Sequence, residues 1–232
     1  MTCALTISVL AMFTSPLRTR RSRSPSKPPL LSAVFSVEKL ASVPVSMTAR
    51  APSPRWPSAS AVAVTAYLDG TAGTGGDAAG DVISGAEILI GSANNDTLFG
   101  DGAANVIDGG NGNDTLVGGA GADTLTGGAG NDTVSYSNAA SGLTVSLGNT
   151  ALNTGDAAGD VYTAMENLTG SGLNDTLYGD GNANAIDGGA GNDMLIGGAG
   201  ADTLTGGSGT DTADYSGSTG PITAYLTGTA GT

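Results

Sequence analysis

The stretch GGNGNDTLVGGAGADTLTGGAGNDTVS, residues 109–135, divides without remainder into three nonapeptides. Each opens with two glycines, places a third Gly at its fourth position, an Asp at its sixth and an aliphatic residue at its eighth. The six residues GGxGxD read as a tight turn, because Gly takes positive φ and lets backbones approach closely. The remaining x-U-x, with U aliphatic, reads as a short strand burying one side chain. A fixed short period of this kind is the mark of a solenoid, in which each repeat buries its apolar residue only by stacking on its neighbours.

Outward from this stretch the pattern fills two blocks, 91–135 and 170–214. GDAAGDV recurs at 76–82 and 155–161, NDTL at 95–98 and 174–177, and GGAGADTLTGG at 118–128 and 197–207, so a longer period of 79 contains both. The alternating segments 63–68, 142–147 and 221–226 keep that spacing, with Val64, Leu143 and Ile222 equivalent, as are Leu68, Leu147 and Leu226. They read as strands with one buried face. The chain therefore divides into a leader (1–60), spacer strands (61–90), block one (91–135), a spacer (136–169), block two (170–214) and a truncated third spacer (215–232).

Period nine places Leu98, Ile107, Leu116, Leu125 and Val134 in one core, and Leu177, Ile186, Leu195 and Leu204 in its continuation, with Ala213 a weak last member. Two nonapeptides are expected to make one turn, so that residues 18 apart stack. Asp96, Asp114 and Asp132 then share one edge of block one, with Asn105 and Asp123 on the other. In block two Asp175, Asp193 and Asp211 share an edge, with Asn184 and Asp202 opposite.

Composition narrows the chemistry. The 232 residues include 39 Gly, one Cys (Cys3) and no His, which excludes disulfides, Cys or His zinc sites and a His-based triad. No run of 18 apolar residues occurs to span a membrane. All eight Lys and Arg lie at or before Arg55, whereas 20 of the 21 acidic residues follow Trp56. A polyanion without internal counter-charge does not seek nucleic acid or an anionic membrane. It requires cations.

Residues 1–60 break the pattern. Subtracting one period from block one predicts nonapeptides at 12–56, where MFTSPLRTRRSRSPSK and its sequel stand instead. No positive residue precedes the mildly apolar Cys3–Phe13 and no small-residue cleavage site follows it, against a secretory signal. The basic, Ser/Pro-rich composition reads either as a disordered leader or as misread sequence.

The turn chemistry selects the cation. Inward-facing carbonyls plus one carboxylate per turn make a shell of hard oxygens, suited to Ca²⁺, whereas softer metals want His or Cys. Stacked turns are about 4.8 Å apart. At that spacing two carboxylates repel by ~0.8 kcal/mol in water and ~3 kcal/mol at an effective dielectric of 20. A divalent ion between them converts repulsion into a bridge. One aliphatic side chain per nine ordered residues is a small return against chain entropy, so folding is expected to depend on the ion.

These blocks resemble the RTX, or haemolysin-type, calcium-binding nonapeptide repeats of bacterial proteins. The resemblance covers about 61–232 and implies an all-β fold: a parallel β-roll, a right-handed β-helix-like solenoid with several Ca²⁺ ions between turns. It also implies export by type I secretion machinery, an extracellular or cell-surface location and folding where calcium is abundant. Carried over by position, the metal carboxylates are Asp114, Asp123, Asp132, Asp193, Asp202 and Asp211. Asp96 and Asp175 follow as weaker members, because their turns lose glycines. The turn glycines are Gly110, Gly112, Gly119, Gly121, Gly128, Gly130, Gly189, Gly191, Gly198, Gly200, Gly207 and Gly209. Asn105 and Asn184 in place of Asp weaken their edge. The best site is expected between turns Gly109–Asp114 and Gly127–Asp132.

The other acids have plainer readings. Asp77, Asp81, Asp156 and Asp160 read as turn formers, and Asp101, Asp108, Asp180 and Asp187 as turn caps. Glu87 and Glu166 read as solvent-facing. Tyr136 and Tyr215 read as plugs covering the end of each coil. A carboxylate ladder without a pocket-forming core argues against an enzyme. The expected function is calcium binding by a secreted segment with a spacing or attachment role. The alternative is the C-terminal piece of an RTX toxin, protease or lipase whose effector domain lies elsewhere.

Overall fold

The computed structural model describes residues 62–224, so the leader and the end of the third spacer lie outside the described residues. The first spacer gives β1 (Thr65–Tyr67), β2 (Asp69–Ala72), β3 (Val82–Ser84) and β4 (Ile88–Ile90). Block one gives β5 (Thr97–Phe99), β6 (Val106–Asn111), β7 (Thr115–Val117), β8 (Thr124–Ala129) and β9 (Thr133–Ser135). The second spacer contributes β10 (Thr144–Ser146), β11 (Val161–Thr163) and β12 (Asn167–Thr169). Block two supplies β13 (Thr176–Tyr178), β14 (Ala185–Asp187), β15 (Met194–Ile196), β16 (Thr203–Thr205) and β17 (Thr212–Ala213).

Nearly every strand is an x-U-x triplet, and nearly every pairing is parallel. Thr97 pairs with Thr115 and Thr115 with Thr133, while Val106 pairs with Thr124. The step is 18 residues, two nonapeptides, so successive strands alternate between two sheets. The architecture is a parallel β-roll. Its interior is the column of eighth-position residues: Leu98, Ile107, Leu116, Leu125, Val134 and Leu177 have no exposed surface, and Ile186 and Leu195 are buried with them. Leu204 packs against the core only partly. The extended β6 and β8 carry the ladder into their turns, pairing Gly110 with Gly128 and Asn111 with Ala129.

The second spacer is part of the coil. β12 pairs back with β9, Leu168 on Val134, and forward with β14, Leu168 on Ile186. One sheet, in the order β1-β5-β7-β9-β12-β14-β16, thereby runs through both blocks. β11 extends the sheet β4-β6-β8, and β10 opens a separate sheet with β13, β15 and β17. Strands one period apart, such as β5 and β13, consequently belong to different sheets. Of the alternating segments, the first two behave as expected, with Ala66, Leu68, Leu143 and Val145 buried. In the third, Ile222 is exposed and residues 221–224 form no strand; Leu226 lies outside the described residues. Among the described residues no helix is long and apolar enough to cross a membrane.

Candidate metal centre

Each sixth-position acid occupies the inner corner where turn becomes strand, and its two oxygens have different tasks. Oδ1 accepts a hydrogen bond from a backbone N–H of the preceding turn, in most cases that of the sixth-position residue 18 earlier. Asp96 N–H donates to Asp114 at 2.8 Å, and Asp114 N–H to Asp132 at 2.8 Å. Asn105 N–H donates to Asp123, and in block two Asp175 donates to Asp193, Asp193 to Asp211 and Asn184 to Asp202. The edges expected from the nine-residue period are therefore continuous hydrogen-bonded ladders.

Oδ2 is the informative atom. In Asp114, Asp123, Asp132 and Asp193 it is buried and has no hydrogen-bond partner. It faces the first glycine of its own turn. A Cβ added at Gly188 would lie 2.5 Å from Asp193 Oδ2 and 2.6 Å from the Gly206 carbonyl oxygen. A Cβ at Gly127 would lie 2.6 Å from Asp132 Oδ2, and one at Gly109 would lie 2.7 Å from the Gly127 carbonyl oxygen. Carboxylate and carbonyl oxygens thus converge where only glycine leaves room.

The glycines at the second and fourth positions of each consensus turn, from Gly110 and Gly112 to Gly207 and Gly209, all take positive φ. At Gly130 a Cβ would collide with the Gly112 carbonyl of the turn below. Among the described residues no group of three acidic side chains converges on a point. A cation here would draw on carbonyls plus one carboxylate per turn, a hard-oxygen donor set that fits Ca²⁺.

Electrostatics point the same way. Burial pushes the carboxyls of Asp114 and Asp123 up to about 6, with neighbouring acids adding to the shift. Asp132 and Asp193 are raised chiefly by burial as well. From Trp56 onward the chain holds no Lys or Arg to neutralise them. A buried anion without counter-charge is expensive unless something cationic or protic joins it.

The sites are not equal. Asp96 and Asp175 have both oxygens engaged: Ser92 N–H donates to Asp96 Oδ2 at 2.5 Å, and Ser171 N–H to Asp175 Oδ2 at 2.5 Å. Val64 and Leu143 donate to their Oδ1 atoms. In these two turns the backbone N–H of the second residue takes the Oδ2 left unpartnered elsewhere, and the serine hydroxyl adds a bond to Oδ1. Asn105 turns its Oδ1 to the Asp101 N–H at 2.8 Å, and Asn184 does the same with Asp180. Asp202 and Asp211 sit half-buried near the end of the described coil. Asp101, Asp180 and Asp187 accept hydrogen bonds from the N–H two residues on, as turn caps do.

Two acids in the spacer join the ladders, contrary to the plainer reading of both. Asp160 is fully buried; its Oδ1 accepts from Asp123 N–H at 2.8 Å, and its Oδ2 accepts from the Tyr136 hydroxyl at 2.5 Å. The Tyr136 and Tyr162 hydroxyls lie 2.6 Å apart, and Asn153 donates to Tyr162 at 3.0 Å. Glu166 is half-buried rather than solvent-facing, and its Oε2 accepts from Asp132 N–H at 2.9 Å. The sequence carries a signal for both: Asp160-Val-Tyr-Thr and Glu166-Asn-Leu-Thr echo the acid-x-U-x of the consensus nonapeptides without their glycines, the first with Tyr162 in the aliphatic place. Tyr136 is buried, as expected of a plug, whereas Tyr215 is 41% exposed.

Comparison with protein families finds four copies of the RTX calcium-binding nonapeptide repeat, at residues 81–116, 108–138, 165–195 and 178–213. These segments match the RTX repeat, and such repeats are calcium-binding motifs. No curated protein matches the chain.

Proposed function

We propose that this chain is a calcium-responsive segment of a secreted bacterial protein, without catalysis of its own, that orders outside the cell and serves as a spacer or surface attachment. The reading rests on the row of buried, unpartnered carboxylate oxygens in a chain region with no cationic side chain. Such a row is unfavourable without divalent ions and favourable with them, so ion binding supplies folding free energy. Asp114, Asp123, Asp132 and Asp193, with the turn carbonyls around them, would hold Ca²⁺, which supplies charge neutralisation and cross-links successive turns. Low calcium before export would leave the chain unfolded, and millimolar calcium afterwards would fold it. Far-UV circular dichroism during a calcium titration tests this. A cooperative gain of β signal is expected, reversed by chelator; a spectrum indifferent to calcium would sink the proposal.

A further inference from the structure

The nonapeptides of block one stop at Ser135, but the edge that carries Asp96, Asp114 and Asp132 continues. Its next member is Glu166, because β12 pairs with β9 and Asp132 N–H donates to Glu166 Oε2 at 2.9 Å. Within a block, a Cβ added at the first glycine of a turn meets two oxygens. One is Oδ2 of the turn's own acid, and the other is the carbonyl of the first glycine in the next turn of that edge. At Gly91 these belong to Asp96 and Gly109, and at Gly109 to Asp114 and Gly127. At Gly170 they belong to Asp175 and Gly188, 2.7 and 2.6 Å away.

At Gly127 the spacer supplies the second oxygen. A Cβ there would meet the Ala164 carbonyl together with Asp132 Oδ2. Asp132 has no exposed surface, and its Oδ2 has no hydrogen-bond partner. Ala164 has φ 51°, and it is the one non-glycine residue with positive φ among the described residues. Left-handed backbone is unfavourable for alanine and persists only where the surroundings impose it. Here it accompanies a carbonyl presented to a buried carboxylate, a repulsive pairing that a cation between the two reverses. The other edge ends differently. The three atoms nearest a Cβ at Gly118 all belong to Asp123, and Asp160 Oδ2 is taken by the Tyr136 hydroxyl.

We propose that Asp132 Oδ2, the Ala164 carbonyl and the Glu166 carboxylate form a calcium site of their own, which closes block one with spacer residues in place of a sixth nonapeptide. Glu166 keeps Oε2 on the Asp132 N–H and gives Oε1 to the ion, as the ladder aspartates divide their two oxygens. The donors are all hard oxygens, two of them from carboxylates, and turn carbonyls or water complete the shell. The ion ties β9 to β12 across a separation of 34 residues and so links the two blocks. This assignment rests on the calcium reading above and extends it to a glutamate and a carbonyl outside the nonapeptides. Glu87, one period earlier, is exposed and supplies the control.

Equilibrium dialysis of the full chain against radioactive calcium counts the bound ions, with circular dichroism confirming that each protein is calcium-folded. Glu166→Gln keeps an acceptor for the Asp132 N–H and removes the charge. At calcium that just saturates the parent, this variant should bind one ion fewer, while Glu87→Gln binds the parent's number. Three results would overturn the site and leave the calcium reading of the nonapeptides standing: an unchanged count for Glu166→Gln, the same loss with Glu87→Gln, or loss of several ions at once. A parent that binds no calcium would overturn both. Should Glu166→Gln not fold, Glu166→Asp, which keeps the charge, must fold and bind the parent's number of ions with weaker affinity; failure of that variant to fold, or affinity equal to the parent's, overturns the proposal.

Discussion

Asp114 and Asp101 carry the same carboxylate in the same block, but the fold treats them oppositely. Asp101 caps its own turn, accepting from Ala103 N–H at 2.8 Å. Asp114 is buried, with one oxygen in the ladder and the other unpartnered. Asp114→Ala should therefore cost calcium affinity about tenfold or more, ~1.4 kcal/mol or greater, while Asp101→Ala leaves it nearly unchanged. Isothermal calorimetry decides between them, and equal losses would dismiss the assignment. Much at this scale was legible: the sixth-position acids are named by the nine-residue spacing alone. Asp160 and Glu166 were not, because the glycine frame that marks a ladder acid is missing around them. Their acid-x-U-x tetrads gain meaning only once β11 and β12 are seen to pair with β8 and β9. The satisfied state of Asp96 and Asp175 was equally hidden, since it depends on Ser92 and Ser171 meeting the acid four residues on.

Among the elements, the turns are more tightly specified than the strands. A three-residue strand needs one aliphatic side chain, whereas its turn must pass under a carbonyl of the turn below. Gly130 has positive φ and no room for a Cβ beside the Gly112 carbonyl. A Cβ added at Gly102 would meet nothing within 4 Å, and the φ of that residue is not positive. Gly130→Ala should thus destabilise the calcium-bound coil by about 1–3 kcal/mol or more, and Gly102→Ala should have a much smaller effect. Urea denaturation in saturating calcium measures both. The period-nine strands and their 18-residue step could be read directly from the chain. That β12 joins the blocks into one sheet could not, because pairing across a 34-residue separation leaves no local pattern.

For the whole molecule, the buried acids set a pH response with opposite signs in two conditions. Asp114 and Asp123 bind protons more tightly in the folded coil, near 6, than in an unfolded chain, near 3.8. Protonation accordingly favours the calcium-free coil: this contribution is fully present below about 3.8 and is lost as pH rises through about 6. Acidifying calcium-free protein from neutrality through about pH 6 should therefore raise its β signal. In calcium the protons compete for the same oxygens, so apparent affinity should fall over the same interval. Calcium titrations followed by circular dichroism at several pH values check both directions, and affinity independent of pH would count against the buried acids as ligands. The single sheet through both blocks has one more consequence, for how tolerant the chain is of added length. A regular rung closes a loop of 18 residues and the rung from β9 to β12 closes one of 34. Loop-closure entropy grows only with the logarithm of length, so that longer excursion costs about 0.6 kcal/mol more. Residues inserted between β10 and β11 would meet the same shallow penalty, leaving the spacer free to vary in length while the stack of turns on either side keeps its register.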